Sequence, residues 1–99
     1  MTAADILRHG ADLVEGDRAR AHGDMVANHE NIARLWSGYL WDILARPLTA
    51  AEAARMMGLM KTARTKTGEL DEDDSKDAAV YAAIGHEIAV RTREKESKG

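Results

Sequence analysis

The sequence predicts an all-α protein, a four-helix bundle. Ala, Leu, Met, Glu, Lys and Arg, which favour helices, dominate the composition, whereas β-branched residues are sparse and Phe is absent. No run alternates apolar and polar residues in the manner of a half-buried strand. At 99 residues the chain has room for one core. We therefore expect a single helical domain over residues 1–99.

The first helix is predicted from about Ala3 to Val14, with Thr2 as its N-cap and Gly16 just past its end. Gly10 lies within this helix, where it costs about 1 kcal/mol relative to alanine. A glycine at this position indicates a close approach by another helix.

The segment EGDRARAHGD, residues 15–24, contains two Gly-Asp breaks and almost nothing that could be buried. One interpretation is a solvated loop. The other is a structured loop in which His22, followed by Gly23 and Asp24, faces a site, because glycine lets the backbone approach a ligand closely.

The second helix is predicted from about Met25 to Leu44, with Asp24 as its N-cap. Trp36 lies on its apolar seam and is expected in the core, whereas Trp41 lies off the seam and suggests contact with another chain. Asn28 and His29 begin the seam at its polar end. The histidine is interpreted either as a hydrogen-bonded structural residue or as a contact to a ligand.

The third helix follows Pro47 and begins with a capping box formed by Thr49 and Glu52. Gly68 fits its C-terminal cap. Lys61 and Arg64 share a face near its end, where they complement the helix dipole or bind phosphate groups.

The fourth helix follows an acidic turn and is predicted to run to about Thr92, before a charged tail at residues 93–99 that we expect to fray. Asp74 and Asp77 lie one turn apart on its apolar face. Two such carboxylates suit Mg²⁺, which keeps several waters and takes one or two carboxylates together with substrate phosphates. The alternative is that these carboxylates form structural ion pairs with Lys61 and Arg64.

Several stretches carry a resemblance to a known family: GDRARAHGD, NHENIARLWSGYL, MMGLMKTARTK and D-x-x-D-AAVYAA. Together they resemble a family of small, mostly uncharacterised helical proteins of phages and prophages, over about Gly16 to Ile88. That family is in turn similar to the all-α nucleoside triphosphate pyrophosphatases of the MazG-like superfamily. This second, looser resemblance rests mainly on the fourth helix.

In the MazG-like pyrophosphatases, one helix carries Glu-x-x-Glu and a later helix carries Glu-x-x-Asp, and both bind Mg²⁺ for cleavage between the α and β phosphates. The segment from Asp74 to Asp77 is similar to the second motif. The first motif is missing, because the third helix has Lys61 to Arg64 in its place and Glu30 is followed three residues later by Ala33. The metal is therefore held by fewer carboxylates, or catalysis is lost and the nucleotide pocket is retained.

The resemblance implies a MazG-like protein that binds or hydrolyses a (deoxy)nucleoside triphosphate with Mg²⁺, a candidate pyrophosphatase. The alternative is a non-catalytic helical interaction module or phage accessory protein whose charges form structural pairs. On the first hypothesis, the metal ligands are Asp74 and Asp77, the phosphate-binding residues are Lys61 and Arg64, and contacts to base or sugar come from His22, Asn28, His29 and Asn31.

Composition excludes several other classes. With no cysteine, the chain has no disulfide, thiolate metal site or cysteine nucleophile. A formal net charge of −3 and a pI near 5.8 argue against a general nucleic-acid binder. Without a signal peptide pattern or a long apolar run, we expect a soluble cytoplasmic protein with no membrane contact.

We also expect a homodimer or higher oligomer. Trp36, Tyr39, Trp41 and a Met-rich third helix present more apolar surface than four short helices readily cover. The MazG-like resemblance implies the same, because those enzymes build their sites at interfaces between helical bundles. The residues expected in the core are Leu35, Trp36, Met60, Ile84 and Ile88.

Overall fold

The computed structural model describes residues 2–16 and 24–98. Within these ranges it contains four helices and no strand: α1 (Ala3–Glu15), α2 (Met25–Tyr39), α3 (Ala50–Arg64) and α4 (Glu72–Lys98). The predicted all-α, four-helix class is confirmed. None of the described helices combines the length and the apolar character needed to cross a membrane.

Local capping chemistry begins α1 and α3 at the predicted residues. Thr2 Oγ1 accepts the backbone N–H of Asp5 at 3.1 Å, and Asp5 Oδ2 accepts the N–H of Thr2 at 3.1 Å. Thr49 and Glu52 make the same reciprocal pair at the start of α3. Each pair satisfies backbone donors that the first turn of a helix leaves free.

The helix ends differ from the predicted ones. α2 stops at Tyr39, and Ser37 Oγ accepts the N–H of Leu48 at 2.8 Å, which holds the returning chain near the end of α2. α4 continues beyond Thr92 to Lys98, since residues 93–98 contain neither glycine nor proline. α3 stops at Arg64, and Gly68 takes a positive φ of 71° in the turn that follows.

Small residues let α3 and α4 pack closely as an antiparallel hairpin, the largest helix contact in the described part of the chain. A Cβ atom at Gly58 would lie 3.3 Å from Tyr81 Cβ, and one at Gly85 would lie 3.0 Å from Arg55 Cγ. Because positions decrease along α3 as they increase along α4, the two helices run in opposite directions. The third and fourth helices therefore form an antiparallel hairpin.

The other two helices pack on this hairpin, α1 against α4 and α2 against α3. A Cβ atom at Gly10 would lie only 2.9 Å from Val80 Cγ2. The predicted close helix approach at Gly10 is therefore confirmed, and it places α1 beside the first third of α4.

The core is small. Ile88, 1% exposed, is the one large side chain that is fully buried in the described ranges, as predicted, and Trp36 and Ile84 are half-buried. Leu35 and Met60 were predicted in the core but are 66% and 42% exposed. Each lies two residues beyond a buried position, Ala33 or Gly58, and therefore about 200° away around its helix.

Candidate functional site

An open cavity of about 840 Å³ runs along α4, bounded by the end of α1, the start of α2 and Lys61 of α3. Its size is within the range of small-molecule sites, about 300–1,000 Å³. Apolar side chains line part of it, including Leu13, Val80 and Ile84. The polar and charged residues of its lining are Glu15, Asp24, Asn28, His29, Lys61, Asp73, Lys76, Asp77, Tyr81, Glu87 and Arg91.

Among the described residues of this lining, His29 is the buried polar one, with 4% of its surface exposed. Its Nδ1 lies 2.8 Å from the carbonyl oxygen of Met25, one turn earlier in α2. Because a carbonyl only accepts, Nδ1 carries the proton, and in the neutral ring Nε2 is an acceptor. Nε2 has no hydrogen-bond partner among the described residues.

Tyr81 of α4 packs against the ring of His29. The two rings meet edge to face, with centroids 6.0 Å apart and planes at 75°. The ring of His29 is therefore fixed between a backbone hydrogen bond on α2 and an aromatic contact on α4.

An ion pair between Lys61 and Asp77 joins α3 to α4 beside this histidine. Lys61 Nζ lies 2.9 Å from Asp77 Oδ2, and the two side chains are only 18% and 25% exposed. Partial burial reduces the screening that weakens most surface pairs. The pair therefore links the two helices, and both of its residues line the cavity.

A second lysine on the cavity, Lys76, also forms an ion pair with a carboxylate. It lies one position before Asp77 in α4. Its Nζ donates to Asp73 Oδ1 at 2.8 Å, and its side chain is 17% exposed. This hydrogen bond to Asp73 raises the pKa of Lys76. Lys76 therefore keeps its positive charge at the cavity.

In the part of the cavity lining that the structure describes, carboxylates outnumber cations. It contains five carboxylates and three cations. The third cation, Arg91, lies 3.1 Å from the carboxylate of Glu87, so all three lining cations are in ion pairs. A bound anion would have to compete with carboxylates that are already in place.

The structure brings four of the predicted site residues together from three helices: Asn28, His29, Lys61 and Asp77. Asp74, Arg64 and Asn31 lie outside this lining, and Asn31 Oδ1 accepts a 3.4 Å hydrogen bond from Arg34. His22 lies outside the described residues.

Several lining residues, among them Asp73, Lys76 and Arg91, were not among the predicted site residues. A signal for them was present, since polar and apolar residues at spacings of three and four continue along one face of α4 from Asp73 to Arg91. Sequence reasoning followed the apolar members of that face and stopped at Ile88.

The described residues do not form a ready Mg²⁺ site. No three His, Asp or Glu side chains among them are grouped to hold a metal ion. Asp77 already pairs with Lys61, so a cation at Asp77 would have to displace the lysine. The assignment of Asp74 and Asp77 as metal ligands stays a prediction.

Comparison with known proteins places this chain beside phage proteins. A family described as a domain of unknown function, DUF6378, matches residues 5–89. The Gene 55 protein of Mycobacterium phage L5 is 33% identical over 94 residues, which are 95% of this chain and 58% of the relative. The Gene 55 protein of Mycobacterium phage D29 is 34% identical over 83 residues, 84% of this chain and 52% of the relative.

The chain thus spans somewhat more than half the length of these relatives. No solved structure matches it. The resemblance to a family of phage proteins is confirmed, and the MazG-like part of the resemblance stays a prediction.

Proposed function

The chain belongs to the DUF6378 family, and we propose that this domain binds a nucleotide in the cavity along α4. The observation that carries the proposal is a cavity of ligand size whose described lining brings two lysines together with Asn28 and His29, a histidine whose Nε2 has no hydrogen-bond partner among the described residues. A buried acceptor without a partner costs about 1–3 kcal/mol, and this free energy is recovered if ligand binding moves the surrounding side chains so that a donor reaches Nε2.

The lining supplies chemistry for each part of a nucleotide. His29 Nε2 and the Asn28 amide are suited to the base or sugar, because both form directional hydrogen bonds. The ammonium groups of Lys61 and Lys76 are suited to a phosphate. The MazG-like resemblance of the segment from Asp74 to Asp77 supports the same class of ligand.

The proposal is binding rather than hydrolysis. MazG-like hydrolysis depends on Mg²⁺ held by two acidic motifs, and here Asp77, the carboxylate of the Asp74–Asp77 segment that lines the cavity, pairs with Lys61. Of the two possibilities that the sequence leaves open, retention of the pocket with loss of catalysis agrees better with this pairing.

Calorimetric titration with nucleoside mono- and triphosphates, each with and without Mg²⁺, tests the proposal. We expect saturable binding that His29→Ala weakens by about tenfold or more. Asn31→Ala is the matched control, since Asn31 is exposed on the same helix and outside the cavity. Absence of binding by the whole panel, or equal loss in both variants, would refute nucleotide binding at this cavity.

A second candidate function, an interaction module that associates with another copy of itself, is favoured by a separate observation. Leu35, Tyr39, Trp41 and Ile43 are 66%, 85%, 76% and 73% exposed at the end of α2 and in the turn after it. Together they offer roughly 450 Å² if each side chain contributes about 150 Å² when fully exposed. A stable dimer buries about 800 Å² per partner, so this apolar patch would form the centre of such an interface.

A further inference from the structure

α3 carries an exposed apolar stripe on the side that does not pack on another described helix. Its members, Met56, Leu59, Met60 and Ala63, have the spacing that places residues on one face of a helix. Met56, Leu59 and Met60 are 36%, 67% and 42% exposed, and Ala63 is exposed as well. These four residues are the α3 stripe.

The α3 stripe lies away from the cavity along α4. Lys61, the residue of α3 that lines this cavity, lies two positions beyond Leu59 and therefore about 200° away around the helix. None of the four stripe residues is in the cavity lining. A molecule bound to the α3 stripe therefore leaves the cavity free, and this surface is separate from the proposed nucleotide site.

Two arginines border the α3 stripe on opposite sides. Arg55 lies one turn before Leu59, and Arg64 lies one turn after Met60, so each is about 90° from the centre of the stripe. Both arginines are exposed, and neither has an ion pair with a described residue. The stem of Arg55 packs on α4, because its Cγ would lie 3.0 Å from a Cβ atom at Gly85. This contact holds Arg55 beside the stripe.

The charge of this part of the chain is positive. Residues 50–66 are all described, and they contain four cations and one anion, Glu52. Glu52 already pairs with Arg46, and Lys61 pairs with Asp77. The cations that have no ion pair with a described residue are Arg55, Arg64 and Lys66. Because a guanidinium binds a carboxylate through two parallel hydrogen bonds, this surface suits a partner with carboxylates beside apolar residues.

The size and the side chains of the α3 stripe favour a helix of another protein. The stripe extends over two turns from Met56 to Ala63, about 10 Å along α3. Methionine is flexible and adapts to irregular surfaces. Three partly exposed side chains offer much less than the roughly 800 Å² that each partner buries in a stable complex, which indicates a transient partner. The stripe is also narrower than the apolar face with which a helix lies on a membrane, because α3 packs on α2 and α4 through its other faces.

We propose that the α3 stripe and its two arginines form a docking surface for an acidic amphipathic helix of another protein. The apolar residues of that helix, at spacings of three and four, pack on Leu59 and the two methionines, and carboxylates on either side of them pair with Arg55 and Arg64. This surface gives the domain a transient protein partner in addition to the ligand of the cavity. Neither proposal depends on the other.

Fluorescence anisotropy with two labelled synthetic peptides tests the docking surface on the full chain. Both peptides have leucines at helical spacings of three and four, flanked by glutamates in one and by lysines in the other. We expect saturable binding of the acidic peptide that salt weakens, and binding of the basic peptide that is about tenfold weaker or more. An acidic peptide that does not bind, or two peptides that bind equally, would overturn the proposal.

Matched substitutions locate the peptide on the chain. Leu59→Ser and the double variant Arg55→Gln with Arg64→Gln should each weaken binding of the acidic peptide by about fivefold or more. Leu7→Ser on α1 is the control for Leu59, because Leu7 is 61% exposed, and Arg93→Gln is the control for the arginines, because Arg93 is exposed on α4. Losses as large in the controls would show that the peptide binds elsewhere and would refute the docking surface.

Two further measurements distinguish other occupants of the α3 stripe. Light scattering should give the same mass for Leu59→Ser as for the parent, and a lower mass would show that a second copy of the chain covers the stripe. Vesicles of phosphatidylcholine with phosphatidylserine should bind neither protein, and binding of the parent alone would assign the stripe to an anionic membrane. Either result would overturn the proposal. Circular dichroism confirms that each variant is folded before its binding is interpreted.

Discussion

Lys61 Nζ lies 2.9 Å from Asp77 Oδ2, and this contact joins α3 to α4 where both helices meet the cavity. The two residues were predicted as a phosphate binder and a metal ligand. In the structure each is the other's partner, with side chains that are 18% and 25% exposed. Their pairing makes the stability of the hairpin and the chemistry of the cavity depend on the same two charges.

Replacement of Asp77 by Asn should destabilise the protein by about 2 kcal/mol, because it strands the partly buried Lys61 ammonium. Urea unfolding with and without Mg²⁺ measures the change. Asp74→Asn is the control and should cost less than about 1 kcal/mol, the contribution of an acidic residue to the first turn of α4. An Asp77→Asn variant as stable as the parent, together with a parent that Mg²⁺ stabilises, would instead support Asp77 as a metal ligand.

Glu52 should make the stability of the protein depend on pH in the acidic range. Its carboxylate accepts hydrogen bonds from Arg46 and from the Thr49 N–H, which lower its pKa from 4.5 to about 2. A folded-state pKa below the unfolded one means that this stability is present above pH 4.5 and is lost as pH falls towards 2. We expect thermal melts of Glu52→Gln to show a lower melting temperature at pH 7 and a weaker decline through this window; parallel curves for parent and variant would contradict it.

Gly58→Ala should destabilise the hairpin, because the new Cβ would lie 3.3 Å from Tyr81 Cβ and 3.4 Å from the Ala78 carbonyl oxygen. Overpacking costs about 1–3 kcal/mol, and the helical preference of alanine returns about 0.5–1 kcal/mol. Gly38→Ala is the control, since nothing lies within 4 Å of its added Cβ, and it should stabilise the protein slightly. Chemical unfolding compares them, and a stabilised Gly58→Ala would show that α3 and α4 lie further apart.

Ile88→Ala should cost about 2–5 kcal/mol, because it empties the largest buried side-chain position of the described core. Val90→Ala, at a residue that is 41% exposed on the same helix, should cost less than about 1 kcal/mol. Equal effects of the two changes in urea unfolding would show that α4 is turned differently on its axis.

Light scattering tests self-association through the apolar patch of Leu35, Tyr39, Trp41 and Ile43. We expect a mass above the 10.8 kDa of one chain, and Tyr39→Glu should restore the monomer by placing a charge in the interface. Leu70→Glu is the control, because Leu70 is 93% exposed in the separate turn between α3 and α4. A parent that stays at 10.8 kDa across micromolar concentrations would contradict the prediction.

The sequence alone was enough to identify the helices and where most of them begin. Thr2 with Asp5 and Thr49 with Glu52 act within one turn of chain, so their spacing already specifies the capping hydrogen bonds. Gly10 likewise predicted a close helix contact, because glycine within a helix is unfavourable relative to alanine and tight packing compensates for this cost. The capping pairs depend on neighbours along the chain, which a single sequence contains. Gly10 predicted that another helix lies close, but its partner, Val80, lies far away in the chain.

Only the tertiary structure decided which way each helix face points. Periodicity placed Asp74 and Asp77 on one face of α4, but Asp77 pairs with Lys61 and lines the cavity, while Asp74 lies outside it. Periodicity also placed both Leu35 and Trp36 on the seam of α2. In the structure the packing of His29 and Ala33 turns Leu35 outwards. The physical reason is that spacing determines which residues share a helix face, whereas the rotation of that face is set by contacts between residues far apart in the chain.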